Sequence, residues 1–329
     1  MTNTLPLEKY IAKNIESWIK EIQNTLTRLG SVKFHDLLRH HELSDKQLLA
    51  VLEIAMKRGE VIKEEDFYKN NNLTSVKYGK HALNLFNPHY TIDLINDLKE
   101  LNQRFKEIVQ KRPIENRMYE QRPVTLQTSL FRALYLLHRG DLIEKDIVLL
   151  GDDDLTSIAI CLIGGFSSLT ILEIDDKIVD YLEAIFVEFG FQNCKVQVYD
   201  ANEEIPAELK QNIHTFLCDP TKPLYELFLK RGLEMLKDDG AFYSFINPSH
   251  SQEYGEIAFQ KKILQSGFMI TDVIPFFNEY YRDTTSLPKE YLDFYPKNKD
   301  ENELIGFTES LIRCRSLKKI DKRFSKFLV

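Results

Sequence analysis

From about Lys145 the chain alternates short, β-rich apolar runs with helical stretches, and this rhythm constrains the fold more than any other feature. Helical stretches such as Ile178–Phe189 and Leu224–Leu236 separate the apolar runs. Strands that alternate with helices predict an α/β fold, a parallel sheet with helices on both faces. The predicted strands are Ile147–Leu150, Leu169–Leu172, Lys195–Tyr199, Thr215–Cys218, Ala241–Ile246 and Ile270–Pro275.

Glycine and acidic residues stand where the first four predicted strands end. Gly151 follows the first strand, Glu173 the second, Asp200 the third and Asp219-Pro220 the fourth. In parallel α/β sheets, ligands bind beyond the carboxyl ends of the strands, and this order is that of Rossmann-like adenosyl-binding transferases. Glu173 is predicted to accept hydrogen bonds from both ribose hydroxyls, and Asp200 to accept one from the adenine amino group. Either acid alone could instead be a solvated loop charge.

The turn after the first strand has the unusual sequence Gly-Asp-Asp-Asp-Leu-Thr-Ser over residues 151–157. It matches neither G-x-G-x-x-G nor G-x-x-x-x-G-K-[ST]. Two like charges ~4 Å apart cost about 4 kcal/mol at an effective dielectric near 20, so three consecutive carboxylates favour a cationic ligand. The alternative is a solvated acidic turn that caps the next helix through Asp154 or Ser157.

The charge of this turn also bears on the donor molecule. S-adenosylmethionine carries a carboxylate, which three aspartates would repel. The decarboxylated form presents an ammonium and a sulfonium, and both would be attracted. This argument favours decarboxylated S-adenosylmethionine as co-substrate and a polyamine as acceptor. The expected donor-binding residues of the turn are Gly151, Leu155 and Thr156.

The N-terminal part has a different pattern. Apolar residues from Leu7 to Leu29 recur at three- and four-residue steps, which predicts a helix. A second helix that begins near Ser44 and a strand that begins with Val61-Ile62 complete the order of a winged-helix unit. We predict a helical, winged-helix-like domain over residues 1–112 and a Rossmann-like catalytic domain over 113–329. DNA binding is the functional interpretation of the first domain, but helix 45–58 has no basic face, which favours an accessory role.

Composition narrows the class of partner and the location. The 329 residues include 43 Lys+Arg and 50 Asp+Glu, a net charge of −7, which argues against nucleic acid as a partner. No apolar run approaches the ~18 residues of a membrane span, and no secretion signal is evident. Four scattered cysteines fit a reducing cytoplasm, and the histidines show no metal-ligand spacing, so we expect no metal. A homodimer is left open.

Several blocks of sequence resemble one known family, the branched-chain polyamine synthases, also called N(4)-bis(aminopropyl)spermidine synthases. The resemblance runs from roughly Tyr119 to the C-terminus, and the block around the three aspartates is its most specific part. The matching blocks are Tyr119–Gln121, Val124–Arg132, Arg139–Leu142, Val148–Ala159, Asp219-Pro220, Phe277–Tyr280 and Phe307–Arg313.

The resemblance implies an aminopropyltransferase, an alkyl transferase of polyamine biosynthesis. It would move a 3-aminopropyl group from decarboxylated S-adenosylmethionine to an amine of spermidine or a related polyamine and release methylthioadenosine. An aspartate of the turn would lie beside the attacking nitrogen, which implies a catalytic role for Asp152, Asp153 or Asp154, with Asp153 first as the base. The implied substrate-binding residues are Tyr119, Asp219, Phe277 and Glu279.

One departure from the family pattern leaves the acceptor open. Asp219-Pro220 is followed by Thr221-Lys222, where the family has Pro and Glu, so a local charge is reversed. One alternative is a transferase that uses intact S-adenosylmethionine as a methyl or aminocarboxypropyl donor, with Lys222 or Arg282 as the partner of its carboxylate. Another is a DNA-binding regulator whose Rossmann-like domain senses a ligand.

Overall fold

The computed structural model describes residues 7–34, 37, 43, 45–71, 98–246, 255–281 and 305–316. They form two compact units. The first contains the described residues up to Lys99 and the segment Leu134–Ile143, and the second contains Glu100–Ala133 and the described residues from Glu144 onward. The predicted domain division at residues 112 and 113 stays a prediction. The helix before it lies with the second unit, where the Tyr181 hydroxyl donates to the Ile108 carbonyl over 3.0 Å.

The described part of the first unit packs two helices on a small antiparallel sheet, the arrangement of a winged helix. Its helices are α1 (Leu7–Leu29) and α2 (Asp45–Lys57), and its strands are β1 (Val32–Lys33), β2 (Val61–Glu64) and β3 (Phe67–Asn70), in the order β1-β3-β2. The predicted apolar stripe of α1 is buried over its described side chains, because it packs on α2 and the sheet. Its buried members are Ile15, Ile19, Ile22, Leu26 and Leu29.

The second unit contains a seven-stranded sheet with helices around it. Its strands are β4 (Asp146–Leu150), β5 (Ser168–Glu173), β6 (Cys194–Val198), β7 (Ile213–Cys218), β8 (Leu236–Ile246), β9 (Phe268–Tyr281) and β10 (Ile305–Ser316). Its helices are α3 (Lys99–Val109), α4 (Leu126–Arg139), which continues into the 134–143 segment, α5 (Thr156–Ile163), α6 (Asp176–Glu188), α7 (Tyr225–Met235) and α8 (Gly255–Gln265). The predicted α/β fold is confirmed.

The strand order is β6-β5-β4-β7-β8-β10-β9. Strands β4 to β8 pair in parallel, and β10 lies antiparallel between β8 and β9. All six predicted strands are present, whereas β10 was not predicted. Strand order reverses at β4, since β5 and β6 lie on one side of it and β7 on the other. Such a switch point opens a crevice at the carboxyl ends of the strands.

The sheet is covered closely enough that one helix position must be glycine. On α7, a Cβ added to Gly232 would lie 2.8 Å from Cδ2 and Cε2 of Phe242 and 3.0 Å from Cδ1 of Phe216. Contacts this short do not occur, so the absence of a side chain sets how closely α7 approaches β7 and β8. Among the described residues, no helix has the length and apolar character needed to cross a membrane.

Candidate active site

The turn between β4 and α5 is shaped by two left-handed backbone positions. Gly151 has φ +79° and Leu155 has φ +57°. Between them the three aspartates point to different surroundings, so each carboxylate has its own chemistry. A left-handed conformation costs little for glycine but about 1–2 kcal/mol for leucine. The burial of Leu155, which is 1% exposed, offsets that cost.

Asp152 serves the helix that follows it. Its Oδ1 and Oδ2 accept hydrogen bonds of 3.2 and 3.3 Å from the backbone N–H of Ser157 at the start of α5. Burial raises the pKa of Asp152 to about 8, although the bonds from Ser157 act in the opposite direction. The sequence left Asp154 or Ser157 as the capping side chain; in the structure the capping carboxylate is that of Asp152.

Asp154 turns to the opposite side, toward helix α4. Its Oδ1 accepts a 2.8 Å bond from the N–H of Val124, and its Oδ2 a 2.6 Å bond from Nη1 of Arg132. The carbonyl of Asp154 accepts a 2.7 Å bond from the Ser129 hydroxyl. Both oxygens of this carboxylate are therefore occupied by the protein.

Asp153 differs from its neighbours because no described residue donates a hydrogen bond to its carboxylate. Only its backbone carbonyl is engaged, by Nη2 of Arg112 at 2.8 Å. Burial, and then the charges of Asp154, Glu173 and Asp219, raise the pKa of Asp153 well above its ordinary value, and Arg112 opposes them. Of the three aspartates, Asp153 is the one whose carboxylate is left for a ligand.

The two predicted nucleoside residues lie at neighbouring strand ends. Oε2 of Glu173 accepts a 2.7 Å bond from the N–H of Asp152, and Oε1 accepts bonds of 2.9 and 3.0 Å from the N–H groups of Ile174 and Asp175. Burial raises the pKa of Glu173 despite these donors. Asp200 follows β6, and its Oδ1 accepts a 2.8 Å bond from the N–H of Asn202. The structure thus brings Glu173 directly to the turn, with Asp200 one strand further along.

A buried arginine organises the other side of the turn. Arg132 on α4 is 2% exposed and donates through Nη1 to Asp154, through Nη2 to Asp219 and through Nε to Oδ1 of Asn278 at 3.2 Å. Its guanidinium carbon lies 4.1 Å from the centre of the Phe245 ring. Burial alone would lower the pKa of Arg132, but Asp154 and Asp219 outweigh burial and raise it. The planar donor fork fixes both carboxylates.

Asp219 continues this network toward β9 and β10. Its Oδ2 accepts hydrogen bonds from Arg132, from Nδ2 of Asn278 at 3.4 Å and from the Tyr280 hydroxyl at 2.7 Å. The same hydroxyl lies 2.7 Å from Oε2 of Glu309 on β10. Burial raises the pKa of Asp219 to about 6 and that of Glu309 to about 8. No described residue donates to Oδ1 of Asp219.

The remaining predicted substrate residues are placed less directly. Tyr119 lies on a short 3₁₀ turn and is 38% exposed; Gln121, two residues on, donates to Oδ2 of Asp175 over 3.0 Å, so this segment lies on the β5 side of the turn. Phe277 is buried and stacks on Phe245 at 6.3 Å between ring centres. Glu279 contacts Thr125 and Thr128 through its backbone. Their roles stay predictions. The side chain of Lys222 lies outside the described residues.

The network includes residues to which sequence reasoning gave no role in the site. Arg132, Asn278 and Glu309 come from α4, β9 and β10, and nothing in their spacing along the chain indicates that they meet. All three stand in blocks that match the family, which was the available signal. The sequence placed Tyr280 only in a block that matches the family.

The electrostatics of the site favour cations. Burial raises the pKa of Asp152, Asp153, Glu173, Asp219 and Glu309, because each would be charged in a poorly solvated place. A bound polycation would stabilise their ionised forms. Among the described residues, no group of three His, Cys, Asp or Glu side chains is arranged to hold a metal ion, and the expectation of a metal-free reaction stays a prediction.

A parallel sheet of this order, with acids at the carboxyl ends of β5, β6 and β7, defines the class of Rossmann-like, S-adenosyl-dependent transferases. The branched-chain polyamine synthase A C-terminal domain family matches residues 100–326, more than half of the chain. The chain belongs to this family, as its sequence blocks predicted.

Individual relatives agree. The chain is 29% identical over 296 residues to the N(4)-bis(aminopropyl)spermidine synthase of Methanocaldococcus jannaschii. The aligned region covers 83% of this chain and 81% of that relative. It is 34% identical over 192 residues to the enzyme of the same name from Thermococcus kodakarensis, covering 56% and 54%. The branched-chain polyamine synthase of Thermus thermophilus, solved with N4-aminopropylspermidine and 5'-methylthioadenosine, shares the fold, with a TM-score of 0.59, 22% identity and coverage of 95% and 94%.

Proposed function

We propose that this protein transfers a 3-aminopropyl group from decarboxylated S-adenosylmethionine to an amine of spermidine or a related polyamine and releases methylthioadenosine. Membership of the family supports this, since two relatives are named for such a synthesis and a third was solved with a branched polyamine and methylthioadenosine. The observation that carries it is the carboxylate of Asp153, which lies partly buried at the switch point of the sheet with no hydrogen bond from a described residue.

The donor would lie over the β4, β5 and β6 ends of the sheet. The carboxylate of Glu173 accepts three N–H bonds from the protein and can still accept hydrogen bonds from the ribose hydroxyls. Asp200 would accept a hydrogen bond from the adenine amino group. Gly151 and Leu155 shape the turn beneath the donor. Oγ1 of Thr156 is buried and has no hydrogen-bond partner among the described residues, so a ligand atom that satisfied it would remove an energetic cost.

The acceptor would lie on the β7 side, between Asp153 and Asp219. Both carboxylates offer oxygens to ammonium groups, and Arg132 keeps Asp219 in place. Tyr119 and Phe277 are proposed to offer aromatic faces to the polyamine and Glu279 a further carboxylate. Because all these groups favour cations, the site suits a substrate with several ammonium groups.

The reaction is an in-line displacement. The neutral amine attacks the methylene carbon next to the sulfonium, the carbon–sulfur bond breaks, and its electron pair stays on sulfur as methylthioadenosine leaves. An aliphatic amine with a pKa near ~10.4 is about a thousandfold protonated at pH 7.4, so supplying its free base costs about 4 kcal/mol. Alignment of nitrogen, carbon and sulfur supplies much of the acceleration.

Asp153 has two functions in this scheme. It accepts a hydrogen bond from the attacking nitrogen, which orients the lone pair toward the donor carbon. Its negative charge also stabilises the positive charge that develops on nitrogen as the new bond forms. Before attack, one proton of the secondary ammonium must leave, and Asp153 and Asp219 are the carboxylates beside it that can serve as general base.

Intact S-adenosylmethionine is the competing donor. Its carboxylate needs a cation. The described cations at the turn are Arg112, which contacts the carbonyl of Asp153, and Arg132, which is already paired with Asp154 and Asp219. The side chains of Lys222 and Arg282, the predicted partners of that carboxylate, lie outside the described residues. The raised pKa values of Asp152 and Asp153 count against placing another anion here.

The deciding experiment is mass spectrometry of reactions that contain purified protein, a polyamine and one donor at a time. We expect spermidine to gain aminopropyl groups only with the decarboxylated donor, together with an equal amount of methylthioadenosine. Products only with intact S-adenosylmethionine would overturn the donor assignment. No product with either donor, across a set of linear polyamines, would overturn the proposed function.

We place this reaction in the cytoplasm. The four cysteines are free thiols, and the sulfur atoms of Cys161 and Cys194 lie 3.3 Å apart without a bond between them. Close thiols that stay unpaired suit a reducing compartment.

A further inference from the structure

The hydroxyl of Tyr280 stands between two carboxylates. It lies 2.7 Å from Oδ2 of Asp219 and 2.7 Å from Oε2 of Glu309. A hydroxyl carries one hydrogen, so it can donate to only one of them. At 2.7 Å the other carboxyl group must carry a proton of its own and donate it to the tyrosine oxygen. Two oxygen atoms at this distance with no hydrogen between them would repel each other. Asp219, Tyr280 and Glu309 at these distances therefore hold one proton more than a tyrosine hydroxyl between two ionised carboxylates would hold.

The orientation of the Asn278 amide group is fixed by its contact with Arg132. Its Oδ1 accepts from Nε of Arg132 at 3.2 Å, so its amide nitrogen faces Tyr280 and Asp219. Nδ2 donates to the Tyr280 oxygen over 3.0 Å. That oxygen then receives the amide hydrogen and the carboxyl proton and donates its own hydrogen, which uses its full hydrogen-bonding capacity.

We propose that Asp219, Tyr280 and Glu309 form a proton relay that takes the proton of the acceptor amine and delivers it to solvent. The relay rests on the proposed function, since it needs an ammonium that becomes a nucleophile. Oδ1 of Asp219, to which no described residue donates, is the entrance. Glu309 is partly exposed and is the exit. Asp153 has no such chain of described donors and acceptors behind it.

Each turnover moves one proton. The acceptor's secondary ammonium has two N–H bonds; one hydrogen stays bonded to Asp153, and the proton of the other passes to Oδ1 of ionised Asp219. Glu309 then loses its own proton to solvent. The carboxyl group of Asp219 then rotates so that its protonated oxygen faces Tyr280. The proton passes to the Tyr280 oxygen while the hydroxyl hydrogen of Tyr280 passes to Glu309, which leaves Asp219 ionised again. One proton leaves the ammonium and one enters solvent, and no other reactant is needed.

The surroundings set the direction of transfer. Arg132 from α4 contacts Asp219 directly, so it stabilises the ionised form there and drives the shared proton toward Glu309. Among the described residues, Asp153 and Asp154 in the turn after β4 also bring negative charge to the relay, and Arg132 neutralises Asp154 in part. The pKa values agree with this direction, since that of Glu309 is raised to about 8 and that of Asp219 only to about 6.

Two substitutions and their combination test the relay. Tyr280→Phe removes the bridging hydroxyl and keeps the ring, and Glu309→Gln keeps the length of the side chain but cannot take a proton. We expect each to lower kcat by about 100-fold, the lower range for general acid–base groups, with KM for spermidine within about threefold. The double variant should be within about threefold of Tyr280→Phe alone, because a broken chain cannot be broken twice.

Tyr181→Phe is the matched control. It also removes a tyrosine hydroxyl, which donates to a backbone carbonyl, and it should leave kcat unchanged. A double variant whose loss is the product of the two single losses, or single variants with unchanged kcat, would overturn the relay. If Tyr280→Phe does not fold, Glu309→Gln alone decides. A loss in kcat at constant KM would support the relay, and an unchanged kcat would overturn it. Wild-type protein without product would overturn the proposed function instead.

Discussion

At the scale of single residues, the site depends on how three consecutive aspartates divide their tasks. Asp152 caps α5 and Asp154 pairs with Arg132, whereas the carboxylate of Asp153 receives no hydrogen bond from a described residue and is proposed to face the ligand. A change of one carboxylate to an amide therefore has a different consequence at each position.

Asp153→Asn should lower kcat/KM by at least about 100-fold, because the amide carries no negative charge to stabilise the positive charge that develops on the attacking nitrogen. Methylthioadenosine affinity, measured by calorimetry, should stay within about threefold, since Glu173 and Asp200 are unchanged. The matched control is Asp180→Asn on the exposed side of α6, with the same loss of charge. Full activity of Asp153→Asn would show that Asp153 does not act on the attacking nitrogen.

Arg132→Met should destabilise the fold more than most single changes. It would leave Asp154 buried and Asp219 partly buried without their common partner, and breaking a buried pair in this way costs about 3–5 kcal/mol. Urea unfolding would measure the free energy of unfolding. Arg104→Met, on the exposed side of α3, makes the same substitution and should change it by less than about 0.5 kcal/mol. Equal stability of the two variants would show that the network contributes little to folding.

At the scale of helices and strands, close packing of α7 on the sheet predicts an effect far from the chemistry. Gly232→Ala would place a methyl group against Phe242 and Phe216, and overpacking of this kind costs about 1–3 kcal/mol. Thermal unfolding should show a lower midpoint, whereas Lys230→Ala on the same helix, with a side chain 64% exposed, should show little change. A Gly232→Ala midpoint equal to wild type would mean that α7 shifts away at no cost.

Elements were easier to predict from the sequence than their contacts. Apolar runs with β-branched residues marked the strands from β4 to β9, and the acids at their ends marked the ligand edge, because both signals are local. Strand β10 was not predicted, because charged residues such as Glu309 and Arg313 interrupt its apolar pattern. In the fold these side chains are partnered, Glu309 by Tyr280 and Arg313 by the Tyr243 hydroxyl at 3.0 Å. A strand that buries charge does not look apolar.

The polar network could not be predicted for a related reason. Arg132, Asp219 and Asn278 are separated by 59 to 146 positions along the chain, and only the strand order brings them together. Local patterns indicate which residue types a site needs. They do not tell which long-range pairs form.

At the scale of the whole molecule, the raised carboxyl pKa values predict how stability depends on pH. Asp152 and Glu309 have pKa values of about 8 when folded, against about 4 when unfolded. Between these limits the folded state binds more protons, so their contribution to stability is full below about pH 4 and is lost as pH rises through about 8.

The measurement is the thermal midpoint at pH 5, 7 and 9 and constant ionic strength. The midpoint of wild-type protein should fall from pH 5 to 9 by more than that of Glu309→Gln, which lacks one of the titrating groups. Spermidine should raise the wild-type midpoint most at pH 9, where the carboxylates are ionised. Parallel pH profiles for the two proteins would contradict the assignment of Glu309.

The place of β10 in the sheet has a consequence for the order of folding. Among the described strands, β9 pairs with β10, apart from a single bridge between Tyr280 and Val124, and β10 is the last described strand along the chain. A growing chain therefore holds 14 residues of β9 without a partner strand until β10 has been synthesised and inserted beside β8. The acids proposed to bind the donor come from strands made much earlier. A nascent chain can thus assemble the proposed nucleoside pocket first and gains Glu309, the proposed exit of the proton relay, only when the sheet is complete.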